Sequence, residues 1–180
     1  LDPGWWVYVA RLEHPGKNHL RLIEAFESLC DRLGPAAGQL VLAGADWHGA
    51  EVIHRAAAES RHAARIFLPG FVSLDDLPAW YAGARALVFP SLFEGFGIPL
   101  VEAMACGTPV LCPAEGAMGE VAADASLAFD PKNPASIASA MERVATDPAV
   151  APDLVAKGLR RAADFHWRKT AMRTLEVYRR

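Results

Sequence analysis

Two glutamates eight residues apart, Glu94 and Glu102, lie within the segment 89–107, FPSLFEGFGIPLVEAMACG, and flank its Gly95 and Gly97. Gly95 and Gly97 leave the backbone bare where a bulky ligand could approach. Pro99 suits the first turn of a helix, whose free N–H groups and dipole attract an anion; a diphosphate would fit there. Glu102 then lies about one turn inside that helix, within reach of a ribose diol, while Glu94 on the preceding loop meets a different part of the ligand. A second group, Arg11 and Lys17, follows the first apolar run and supplies two cations that could neutralise a pyrophosphate leaving group without metal. No D-x-D sequence, the usual carboxylate pair for a metal-bound nucleotide sugar, occurs in the chain.

Other motifs are weaker. Gly95-x-Gly97-x-x-Leu100 lacks the third glycine of a dinucleotide fingerprint, and Gly16-Lys17-Asn18 has neither the earlier glycine nor the hydroxyl residue of a phosphate loop. His14, His19, His48, His54, His62 and His166 show no H-x-x-x-H spacing and read as surface or cap residues. Trp5, Trp6, Trp80 and Trp167 read as core or interface. Trp47, on the loop after the second strand, stands on the active rim, but packing is its expected role too.

Positioning these groups requires strands that end in one place. Apolar runs of three to six residues at 5–10, 39–43, 65–68, 86–89, 110–112 and 127–129 alternate with helical periodicity at 19–33, 49–62 and 115–123. Ser73 and Asp76 form an S-x-x-D capping box for a short helix to Ala82, and Gly34 stops the first helix. Beyond Asp130 the chain is helical, at 134–146, 151–165 and 167–180. The pattern predicts an α/β fold: a doubly wound, Rossmann-like parallel six-stranded sheet with helices on both faces and a helical C-terminus. Ligands of such sheets sit outside the carboxyl ends of the strands, where Arg11, Lys17 and Glu94 fall.

Composition narrows the partners. The 180 residues suit one domain over 1–180, 52% hydrophobic and 22% charged, with Gly 14 and Pro 13 too few for low complexity. Eighteen Lys and Arg against 21 Asp and Glu give a net charge of −3, so no global basic field exists to hold nucleic acid. No apolar run reaches a membrane-spanning length of ~18–20 residues. Three cysteines without C-x-x-C spacing argue against a disulfide framework or cysteine zinc site and fit a reducing cytosol. The initial Leu1, with strand-like sequence beginning by residue 5, suggests a piece of a longer chain.

Segments 11–25 (RLEHPGKNHLRLIEA), 68–73 (LPGFVS) and above all 90–110 resemble the group 1, or family 4, retaining glycosyltransferases. The resemblance covers nearly the whole chain. It implies one half of a GT-B enzyme, the C-terminal donor-binding domain, with the N-terminal acceptor domain absent from this chain. Glu94 and Glu102 match the family's E-x7-E pattern, which implies that Glu94 contacts the donor sugar and Glu102 the ribose. By the same resemblance Arg11 and Lys17 hold the diphosphate and, with Glu94, form the catalytic group. The backbone of Gly95, Phe96, Gly97 and Ile98 meets sugar and phosphate, with Leu100 in the same donor site, and the backbone of Phe71 and Val72 meets the base edge. Many members place the lysine five residues after the arginine; here His14-Pro15-Gly16 makes it six.

The implied reaction moves a sugar from a UDP-, GDP- or ADP-linked donor to an acceptor glycan or lipid-linked sugar, bound through the missing domain, with no resident cofactor or metal. The implied location is cytoplasmic, or peripheral at the inner face of the membrane, and the domain alone is expected to be inactive. The rival readings are a non-catalytic nucleotide-sugar binding module and a GT-B relative such as a nucleotide-sugar epimerase or a phosphorylase.

Overall fold

A computed structural model describes residues 4–179. Six strands, β1 (Trp5–Val9), β2 (Leu40–Ala43), β3 (Ile66–Gly70), β4 (Ala84–Val88), β5 (Val110–Cys112) and β6 (Ser126–Ala128), form one parallel sheet in the order β3-β2-β1-β4-β5-β6. Parallel strands covered on both faces need continuous apolar runs. Trp6, Val7 and Tyr8, all of β2, Ala86 to Val88, and all of β5 are accordingly buried.

The described residues form eight helices, α1 (His19–Leu33), α2 (Ala50–Glu59), α3 (Leu77–Ala82), α4 (Ile98–Ala105), α5 (Gly116–Ala122), α6 (Pro134–Thr146), α7 (Val150–Ala162) and α8 (Trp167–Tyr178), of which α8 buries no residue. Helix α1 buries Leu22, Ala25, Phe26 and Leu29 at three- and four-residue steps and packs against α6 and α2. Helix α4 packs against α3, α5 and α7. Each large apolar side chain so buried contributes roughly 1.5–3 kcal/mol. At the end of α1, Gly34 takes φ +54°, a conformation an L side chain resists, and its N–H bonds the Cys30 carbonyl.

Element boundaries shift where backbone pairing outruns hydrophobicity. The fourth strand begins at Ala84 rather than residue 86, and β3 extends to Gly70, whose carbonyl accepts from Gly44 N–H at 2.9 Å. Helix α2 stops at Glu59, short of residue 62, because Ser60 turns extended and donates its hydroxyl to Glu27 at 2.7 Å. The Ser73 hydroxyl accepts from Asp76 N–H at 3.1 Å, but the Asp76 carboxylate binds that same hydroxyl at 2.7 Å instead of reaching a backbone N–H. The predicted end of α8 at Arg180 lies outside the described residues, as does the start at Leu1.

The chain winds outward from β1 to β3, then returns to lay β4 on the other side of β1. This reversal opens a crevice at the carboxyl ends of β1 and β4, the strands whose exits carry Arg11 and Lys17 and Ser91 to Gly97. No helix among the described residues is long and apolar enough to cross a membrane.

Candidate functional site

The β1 exit does not fall away into solvent. Leu12 N–H bonds Ala45 at 2.9 Å and His14 N–H bonds His48 at 3.0 Å, while Trp47 N–H returns to Leu12 at 3.1 Å, so the loop runs pinned beside the β2 exit. From it Lys17 reaches across the crevice to Glu94, with Nζ 2.8 Å from Oε1 and both side chains mostly buried, at 19% and 15% exposure. The six-residue interval from Arg11 therefore still delivers the ammonium to the rim. Arg11 is half-exposed, pairs with Glu13 at 3.1 Å and lies 4.8 Å from the centre of the Trp47 ring. Trp47 is exposed rather than packed, contrary to expectation; its ring faces a guanidinium that a hydrocarbon core would exclude.

Arg11, Lys17, Glu94, Gly97, Ile98 and Pro99 line a common cleft of about 320 Å³. Gly97 caps α4 with φ +92°, and Pro99 occupies the first turn, so the cleft opens on a helix N-terminus. Gly95 has open space where a side chain would stand. Phe96 is tied back by an edge-to-face contact with Phe165 at 5.6 Å. Glu94 also borders a second, larger cavity of about 840 Å³, whose lining includes Phe93, Glu115, Met118, Phe129 and Lys132.

Other expected site residues lie apart from this cleft. Glu102 accepts the Tyr81 hydroxyl at 3.0 Å and is not among the cleft residues. Burial and then the Glu102 charge push the Tyr81 phenol far above its ordinary range, so it stays a donor. Leu100, expected in the donor site, has a wholly buried side chain, and its N–H bonds the Gly97 carbonyl at 3.0 Å. Phe71 is exposed just past β3 and Val72 packs partly into the core; neither borders the cleft.

Sequence reasoning missed three buried polar residues. Tyr8, Asn18 and Ser91 lie behind the Lys17–Glu94 pair, within apolar or loop sequence whose hydrogen-bonding groups gave no periodic signal. His19 also departs from its surface reading. It is buried against the Tyr8 ring at 4.8 Å, and burial lowers its pKa from 6.5 to about 4. Below pH 6.5 the unfolded chain takes up a proton that the folded chain refuses until about pH 4. The stabilisation present above 6.5 is therefore lost as pH falls through that window, by roughly 3 kcal/mol in all. Urea melts at pH 7 and pH 4.5 should show His19→Phe losing markedly less stability than the parent; equal losses would exclude His19 as the source. Among the described residues no group of three or more His, Cys, Asp or Glu side chains could hold a metal ion.

This architecture has close parallels. The glycosyl transferases group 1 family matches residues 2–161. The chain is 32% identical over 176 residues to O-antigen chain mannosyltransferase B of Escherichia coli, covering 98% of this chain and 46% of that protein. It is 40% identical over 111 residues to a D-inositol 3-phosphate glycosyltransferase of a Nocardioides species, covering 61% of this chain and 24% of that protein. Sucrose-phosphate synthase of Thermosynechococcus elongatus superposes with a TM-score of 0.86 at 29% identity, over 99% of this chain and 45% of its own. Anabaena HepE, solved in complex with UDP, shares the fold at a TM-score of 0.79 and 21% identity, over 91% of this chain and 44% of its own. The chain thus spans less than half the length of these relatives. With the doubly wound sheet, the E-x7-E pair on its strand-to-helix turn and a family match over most of its length, the chain belongs to the group 1 glycosyltransferases.

Proposed function

We propose that this chain is the donor-binding half of a retaining glycosyltransferase and holds a nucleoside-diphosphate sugar across the β1–β4 crevice. The observation that carries the reading is the single cleft in which Arg11, Lys17, Glu94 and the α4 N-terminus converge. In sugar transfer the bond from the anomeric carbon to the phosphate oxygen breaks, and its electron pair passes to the departing diphosphate. Charge grows most on that group, so two cations and a helix N-terminus fixed beside it stabilise the transition state more than the ground state. Glu94, freed from Lys17 as the diphosphate takes over the ammonium, turns its carboxylate to the sugar hydroxyls. Glu102 serves the ribose, with Tyr81 holding one carboxylate oxygen in place. The acceptor enters through the rest of the protein, and the 180-residue chain alone is expected to bind donor without turnover.

Calorimetry with UDP, GDP and ADP, each against its nucleoside, tests the reading. At least one diphosphate should bind much more tightly than its nucleoside without magnesium, and the difference should shrink with salt. Arg11→Ala and Lys17→Met should each remove part of that difference, about tenfold for a charge-assisted contact. Strict magnesium dependence, or indifference to both substitutions, would move the anion site elsewhere.

A further inference from the structure

Behind the Lys17–Glu94 pair lies a closed set of hydrogen bonds that packing alone does not require. Tyr8 is in the buried centre of β1, its ring against Phe89 at 5.4 Å and His19 at 4.8 Å, surroundings that a phenylalanine would fill as well. Its hydroxyl donates its one proton to the Lys17 carbonyl at 2.8 Å, because a carbonyl can only accept. The 2.8 Å contact with Ser91 must then run the other way, from the fully buried serine hydroxyl to the tyrosine oxygen. Every proton in this pair of hydroxyls is assigned.

Asn18 makes the same connection from the other side. Its Nδ2 donates to the Pro90 carbonyl at 2.9 Å and to the Pro131 carbonyl at 2.7 Å, and its Oδ1 accepts from Arg21 at 2.9 Å. Two carbonyls on the nitrogen and a guanidinium on the oxygen fix the amide's orientation. Asn18 reaches them from a left-handed backbone, φ +62°, that places it between the lysine loop and the start of α1. A third link runs from Leu92 N–H to the Gly16 carbonyl at 3.0 Å. Gly16, Lys17 and Asn18 are thus each bonded to the stretch 90–92 or, through Tyr8, to Ser91.

We infer that Tyr8, Ser91 and Asn18 are positioning residues, which hold the Lys17 backbone to the β4 exit so that its ammonium and the Glu94 carboxylate meet in the diphosphate cleft. The inference rests on the diphosphate reading given above. A lysine is a point charge on a flexible stem, and much of its affinity for an anion is lost to ordering that stem. Fixing the main chain on both sides of Lys17 removes the backbone's share of that loss before a ligand arrives. The hydroxyls and amide are themselves too buried to meet the ligand; their effect passes through Lys17.

A double-mutant cycle separates positioning from general support of the fold. Inorganic pyrophosphate, with UDP and GDP alongside, is titrated against the parent, Tyr8→Phe, Lys17→Met and the double variant. Tyr8→Phe should weaken pyrophosphate binding by about tenfold in the parent and leave it unchanged in the Lys17→Met background. Uridine and guanosine affinity should not move. Asn18→Gly, which permits the left-handed backbone and removes the side chain with its amide, should repeat the pattern, and Ser91→Ala replaces Tyr8→Phe should that protein fail to fold. If Lys17→Met weakens pyrophosphate but Tyr8→Phe and Asn18→Gly do not, or weaken it equally in both backgrounds, the positioning role is wrong while the diphosphate reading stands. If Lys17→Met changes nothing, or the parent does not bind pyrophosphate, both fall.

Discussion

Replacing Gly44 by alanine should destabilise the protein by about 3 kcal/mol or more and loosen the loop that carries Arg11. An added Cβ would stand 1.9 Å from the Ala10 carbonyl oxygen, 2.6 Å from its carbon and 3.1 Å from the Arg11 nitrogen. All three are main-chain atoms, so no rotamer change relieves the clash. The β1 exit must move away from β2, although Ala10 N–H is bonded to Ala43 at 3.0 Å and Gly44 N–H to Gly70 at 2.9 Å. Gly44 is therefore a requirement for space rather than for backbone freedom. Gly95→Ala is the control, because no atom beyond the adjoining residues lies within 4 Å of the added carbon. Its stability should stay within about 0.5 kcal/mol of the parent. Urea melts of the two variants settle the matter: similar midpoints would mean that the β1 exit yields without strain.

Lys17→Met should cost about 1–3 kcal/mol of folding stability even without ligand, because it leaves the Glu94 carboxylate in a mostly buried place without its cation. The magnitude stays below that of a fully buried pair because both side chains retain some solvent contact, 19% and 15%. Lys17→Met combined with Glu94→Gln removes the stranded charge and should recover most of the loss. A double variant no more stable than Lys17→Met would show that the lysine stem, not the ion pair, supplies the stabilisation. Arg11→Ala is the contrasting case: its ion pair with Glu13 is largely exposed and its removal should leave stability nearly unchanged.

The sheet was legible because parallel strands buried on both faces leave unbroken apolar runs, as in Val7, Tyr8 and Leu40 to Ala43. Its strand ends were less so, because pairing at Ala84 or Gly70 is decided by a neighbouring strand that the local sequence does not contain. Lys17 and Glu94 could be named from their types and placed on a common rim by topology. Their 2.8 Å meeting depends on a loop closed by Tyr8, Asn18 and Ser91, residues that look like core or turn when read singly. Leu100 is the opposite case. It sits inside the densest motif, yet its place on α4 turns it inward, and a motif does not say which of its members face the ligand. Trp47 escaped because an exposed indole has a reason to be exposed only once a guanidinium is known to lie over it.

The crevice between β1 and β4 has a further consequence for how the molecule is assembled. Tyr8 and Ser91 are 83 residues apart, and Asn18 and Pro131 are 113 apart, so no short stretch of chain contains both sides of the cleft's framework. During synthesis the lysine loop exists long before its partners, and Asn18 lacks one of its two acceptors until Pro131 has emerged and docked. Loop closure over such separations is late and slow, which makes the cleft a product of the completed fold rather than a nucleus for it. An anion that recognises the finished cleft has no partial version of it to recognise in the unfolded chain. Its binding therefore adds wholly to native stability, and the shift in melting temperature it causes grows with its concentration relative to its Kd for the folded cleft.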